Sequence, residues 1–133
     1  MGWGRLRRRA EFQRVSRGRR AQAETITLQA LARPTDLGAI GPRVGFTVTR
    51  KVGDAVERNR IRRRLKEALR AAQAIAPAPD SDYVLMARRE ALTRHFAALI
   101  ADIERAFAQV GRIRPAGAAE RRRPAATDRD PRS

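Results

Sequence analysis

The sequence predicts an α+β fold, a two-layer α/β sandwich in which a small mixed sheet carries packed helices. Three observations lead there. Residues 24–31 and 43–49 alternate apolar and polar, as half-buried strands do. Residues 54–76 and 92–110 place apolar side chains at spacings of three and four, as amphipathic helices do. Between them, residues 83–87 (Tyr-Val-Leu-Met-Ala) form a short apolar run suited to a buried strand. At 133 residues the chain has room for one domain of modest core.

In chain order, residues 7–16 read as a short helix with Phe12 and Val15 as its apolar contacts, ending near Gly18. The next stretch puts Ile26, Leu28 and Ala30 on one face of a strand. Pro34 and residues 38–42 make a loop, and Val44, Phe46 and Val48 then share a face of the second strand. Val52 and Gly53 mark a turn or a very short strand. Asp54 is placed as an N-cap with Glu57 as its capping-box partner. The helix after it runs to Ile75 or Ala76, since Pro77 and Pro79 forbid continuation. In the last helix Phe96, Leu99, Ile100, Ile103, Phe107 and Val110 form the buried stripe, and Gly111 is the expected cap. Residues 113–133 lack periodicity and large apolar side chains, and read as a disordered basic tail on a domain of residues 1–112.

Charge is the outstanding feature. Twenty-eight Arg and two Lys face 14 acids, for a net charge of +16 and a pI near 11.9. It is unevenly spread: residues 1–20 carry +7, residues 50–70 carry +6 and the tail +4, while the intervening stretches are close to neutral. On a helical wheel of residues 54–76, Asn59, Arg60, Arg62, Arg63, Lys66 and Arg70 fall opposite the stripe of Ile61, Leu65, Ala68, Leu69 and Ala72, with Arg64 on the flank. Guanidinium forks suit phosphate oxygens, and an Asn both donates and accepts, as a sugar hydroxyl or base edge requires. Arg58 falls beside the apolar stripe instead, where its stem would pack and its head would hold the first turn. Nine bases in residues 50–70 against three acids point to a polyanion, in practice a nucleic acid.

Other chemistry is thin. With no Cys there is no disulfide, thiolate metal site or thiol nucleophile. No apolar run approaches a membrane span and the N-terminus has no secretory apolar region, so a cytoplasmic protein without membrane or small-molecule partners is expected. His95 stands alone on a helix that builds the core. Asp80 and Asp82 could offer two carboxylates to Mg²⁺, but a polar turn before a strand explains them as well. Nothing here makes or breaks a bond unaided.

The stretch Val44-Gly-Phe-Thr-Val-Thr-Arg-Lys-Val-Gly-Asp-Ala-Val-Glu-Arg-Asn-Arg-Ile-Arg-Arg-Arg-Leu-Lys-Glu-Ala-Leu-Arg70 closely resembles the signature of the bacterial ribonuclease P protein subunit, with Ala55-x-x-Arg58-Asn59-Arg60-Ile61-x-Arg63 at its centre. Leu6-Arg-Arg-Arg-Ala-Glu-Phe12-Gln-x-Val15, Gly18-Arg19 and Asp82-Tyr-Val-Leu-Met-Ala-Arg88 are similar to flanking parts of that family. The resemblance implies a sandwich with a left-handed βαβ crossover, against the usual right-handed preference. It implies a protein that binds a catalytic RNA and the 5′ leader of precursor tRNA. Cleavage of the leader would fall to Mg²⁺ held mainly by the RNA subunit. By position, Arg50, Lys51, Arg58, Asn59, Arg60, Arg62, Arg63 and Lys66 would contact the RNA subunit. Phe12, Arg14, Phe46 and Tyr83 would meet the leader in a cleft between the N-terminal helix and the sheet. Ser16 and Gln29 stand where relatives often carry aromatics, so this cleft should rely more on charge and hydrogen bonds. Composition alone would equally fit a structural RNA-binding protein such as a ribosomal component. A DNA reader laying the Arg58–Arg70 ridge in a major groove would usually present the helix's first turn as well.

Overall fold

The computed structural model describes residues 3–34 and 41–113. Its sheet has five strands: β1 (Gly4–Arg5), β2 (Arg19–Gln22), β3 (Ile26–Ala32), β4 (Arg43–Thr47) and β5 (Ser81–Ala87), in the order β1-β4-β5-β3-β2. β1 and β5 run parallel to β4, whereas β3 is antiparallel to β5 and to β2. The sheet is therefore mixed, and helices pack on it. The helices are α1 (Arg9–Val15), α2 (Ala55–Ala71) and α3 (Phe96–Ile113), and α2 is the crossover between the parallel neighbours β4 and β5. Single 3₁₀ turns, Arg50–Val52 and Arg89–Leu92, precede α2 and α3.

Alternation along β5 sorts the two faces of the sheet. Tyr83 and Leu85 join Ile26, Leu28, Ile61, Leu65, Leu99 and Ile103 in the main core, beneath α2 and α3. Val84 points the other way, into a small cluster with Leu6 and Val15 against which Phe12 and Met86 pack, so α1 covers part of the opposite face. Ile61 and Leu65 of α2 are completely buried, worth about 1.5–3 kcal/mol each. Asp102 fastens α3 to the β2–β3 turn by accepting from the Thr25 amide at 3.0 Å and hydroxyl at 2.7 Å.

Several boundaries differ from expectation for identifiable reasons. β1 and β2 went unanticipated because two- and four-residue strands rich in Arg carry almost no alternation signal. α2 stops at Ala71, short of residue 76; Ala72 is already extended, and the Ala74 amide donates to Glu104 of α3 at 3.1 Å. α3 starts four residues late because residues 89–92 form the 3₁₀ turn, and it runs through Gly111, which is not a cap. The expected tail beyond residue 113, and residues 35–40 of the loop, lie outside the described residues.

Candidate nucleic-acid interface

The start of α2 is built locally. The Glu57 amide donates to Asp54 Oδ1 at 2.8 Å and the Asp54 amide donates to Glu57 Oε1 at 2.9 Å, which completes the capping box. From that fixed first turn the ridge follows by helical spacing. Asn59, Arg60, Arg63, Lys66 and Arg70 are exposed, and Arg62 is half-buried, donating to Asn59 Oδ1 at 3.1 Å. Arg50 and Lys51 are exposed on the preceding turn. Among the described residues, Arg50, Lys51, Arg60, Arg63 and Lys66 have no carboxylate within salt-bridge distance, and only Arg70 is paired, to Glu67 at 3.2 Å. Val56, 68% exposed, lies on the ridge side, one turn before Arg60. It adds an apolar contact that a sequence reading focused on charge passed over.

Two α2 arginines do something else. Arg58 donates to the Gly53 carbonyl at 3.0 Å and so holds the first turn, as its wheel position beside the apolar stripe suggested. Arg64 donates to the Ala91 carbonyl at 3.1 Å and to the Arg94 carbonyl, tying α2 to the segment before α3.

A second polar region lies on the opposite sheet face. The Cβ that any other residue would place at Gly45 would lie 2.5 Å from the Phe12 ring, so a glycine in mid-strand is what lets α1 approach β4. At the end of α1, Arg14, Arg33 and Arg43 converge on Asp82, at 2.7, 2.6 and 2.8 Å. The Asp82 side chain is fully buried. Burial would push its carboxyl up, but hydrogen bonds from Arg43, Arg33 and Arg14 outweigh that and hold it below the usual Asp range. Arg43 also reaches Glu11 at 3.3 Å. Glu11 in turn is held low chiefly by the Arg8 and Arg7 amides of the α1 N-terminus. With both Asp82 oxygens engaged by guanidinium groups, and Asp80 Oδ1 accepting from the Ser81 hydroxyl at 3.3 Å, the pair does not fit a metal. Among the described residues no three His, Cys, Asp or Glu side chains are placed to hold one. His95 is exposed, and its carbonyl accepts the first amides of α3.

The four residues expected along the α1 cleft do not share it. Phe12 is there, half-buried against Val84 and Met86. Arg14 is there too, but its guanidinium is spent on Asp82 and on the Ala32 carbonyl at 3.1 Å. Tyr83 and Phe46 are on the other face, a correction that strand alternation explains: Tyr83 precedes Val84, which meets α1, and Phe46 follows Gly45, over which the Phe12 ring lies. Tyr83 is 4% exposed, its ring 4.8 Å from Phe107 and its hydroxyl accepting from the Ala78 amide at 2.8 Å. Phe46 packs on the main core with Lys66 Nζ 6.0 Å from its ring. By register, the α1 side of the sheet instead presents Thr27, Gln29, Thr47 and Met86, with Arg20 opposite Gln29 on β2. Thr27 and Gln29 are nearly buried, yet their side chains make no hydrogen bond among the described residues.

Comparison with known proteins identifies the family and matches the fold. The family model described as Ribonuclease P matches residues 4–111. A ribonuclease P protein component from Gluconacetobacter diazotrophicus is 47% identical over 108 residues, covering 80% of this chain and 90% of its own. One from Paramagnetospirillum magneticum is 44% identical over 118 residues, covering 87% and 89%. The Staphylococcus aureus RNase P protein superposes with a TM-score of 0.64 at 22% identity over 82% of this chain and 95% of its own, a likeness of fold. The Thermotoga maritima RNase P protein gives 0.62 at 25% identity over 76% and 96%. With that sheet order, that capped and cation-lined crossover helix, and relatives of this similarity over most of their length, the chain belongs to the ribonuclease P protein component family.

Proposed function

We propose that this chain is the protein subunit of a ribonuclease P, binding the catalytic RNA along α2 and the 5′ leader of precursor tRNA along the α1 side of the sheet. In this role it assists removal of the leader by Mg²⁺ held in the RNA, and is inactive by itself. The observation that carries the reading is the α2 ridge: Arg60, Arg63 and Lys66 exposed without counter-charge on a helix whose other side is core. Unpaired like charges at i,i+4 disfavour a helix by a few tenths of a kcal/mol each, a cost that phosphates offset. Arg50, Lys51, Asn59 and Arg62 extend that contact, while Arg58 and Arg64 support it by fixing α2. On the second surface Phe12 offers apolar or stacking contact, and Thr27, Gln29 and Thr47 supply hydrogen bonds where rings are few. Phe46 and Tyr83 have no part in it.

The deciding assay is precursor-tRNA cleavage by the cognate RNA subunit at low Mg²⁺, with and without the protein. Added protein should raise the rate and lower the Mg²⁺ requirement. A rate and Mg²⁺ dependence indifferent to the protein would end this reading.

A further inference from the structure

A groove of about 430 Å³ lies on the α2 side of the sheet, away from the α1 cleft, where β1 and β4 meet the second half of α2. Its lining includes Trp3, Phe46, Leu69 and Ile75, with Lys66 and Arg70 contributed by the ridge. Arg5 of β1 adds a third cation. Lys66 and Arg5 have no carboxylate within salt-bridge distance among the described residues, and Arg70 shares only the largely exposed Glu67. Trp3 is held in place from behind: its ring meets Tyr83 edge-on at 6.0 Å and Phe107 at 6.0 Å, while the residue stays half-exposed. A ring already fixed by its neighbours loses little freedom when something stacks on it, so the site is preorganised.

We propose that this groove receives one unpaired nucleotide of the catalytic RNA, its base against Trp3 and Phe46 and its phosphate against Lys66 and Arg70. The inference rests on the reading of α2 as the RNA-subunit surface. Continuity selects that RNA over the leader, since Lys66 and Arg70 belong to the ridge and to the groove alike. The volume is that of a small-ligand site, enough for a base and its sugar. Aromatic faces beside cations are the means by which single strands are held without sequence preference. An acidic peptide would engage the cations but leave the rings unused. The chain's own C-terminal segment, residues 111–133, carries +4, the same sign as the groove's cations.

Trp3 is the only tryptophan in the chain, so its fluorescence reports this groove alone. Titration of the full chain with a short unstructured RNA oligonucleotide should quench it saturably. An abasic oligonucleotide of equal length, inorganic phosphate and an oligoglutamate peptide should not. Ile75→Glu, which places a carboxylate in the lining outside the ridge, should weaken the quench about tenfold. Ultraviolet crosslinking of the complex should join the Trp3 peptide to the catalytic RNA. Equal quenching by the abasic strand or the acidic peptide, or a crosslink to precursor leader in its place, overturns the proposal. So does RNA binding seen by anisotropy with Trp3 unaffected, in which case the ridge reading stands. Absence of RNA binding by both measures would sink the ridge reading along with it.

Discussion

Three arginines on one buried carboxylate make Asp82 the side chain on which the α1 side of the molecule depends. Arg33 is itself 5% exposed, so removing Asp82 strands positive charge in the interior. Asp82→Asn should lower unfolding free energy by about 3 kcal/mol, read by urea denaturation with the slope unchanged; a loss under 1 kcal/mol would make the network a surface-like one. The pH dependence follows from the direction of the shift. A carboxyl whose folded pKa lies below its unfolded value stabilises the fold above the unfolded value and loses that contribution as pH falls through the folded one. Stability should therefore decline below about pH 4, and Asp82→Asn should flatten the decline. Gly45→Ala should cost about 1–3 kcal/mol by driving the Phe12 ring off β4, visible as lost protection of α1 amides in hydrogen exchange. None of the Asp82 network was legible in the sequence, because its partners lie 39, 49 and 68 residues away. The Asp54–Glu57 box was legible, since both halves sit within one helical turn.

The element on which the proposed RNA contact rests is α2, and its two faces are legible in its sequence. The 3.6 period separates core from ridge without tertiary information, which is why Ile61, Leu65, Ala68 and Leu69 were identifiable as buried and Arg60 and Arg63 as exposed. Replacing Arg60 and Arg63 by Ala should reduce the salt slope of RNA-subunit binding by about one to two units with thermal stability unchanged. An unaltered slope would place the ridge in solvent. Asp54→Ala should cost about 1 kcal/mol through loss of the cap, a change that circular dichroism melts resolve. Strands were harder to read. Alternation located β3 and β4 but left open which side of the sheet was covered by which helix, so nothing in it opposed the grouping of Phe46 and Tyr83 with Phe12 that the family resemblance implies. Gly45, a residue without a side chain amid an alternating strand, was the available clue.

At the scale of the whole molecule, one sheet keeps the α2 ridge and the α1 cleft apart, with α2 and α3 on one face and α1 on the other. Variants on the two faces should behave independently. Gln29→Ala should weaken binding of leader-bearing precursor relative to leaderless tRNA, while the Arg60/Arg63 double variant should weaken both equally. Combined, the losses should add within about 0.5 kcal/mol, and a larger interaction would mean one continuous RNA path. The separation also has a consequence for how the chain is made. β5 is the last strand in sequence and the middle one in space, bonded on both edges, and it supplies residues to both cores. A ribosome therefore releases β1 to β4 as two unjoined ribbons, and neither face of the sheet has a backing until residues 81–87 emerge between them. Translation arrested before Ser81 would yield an adhesive, highly cationic fragment in place of a partial domain, so for this protein assembly waits on β5.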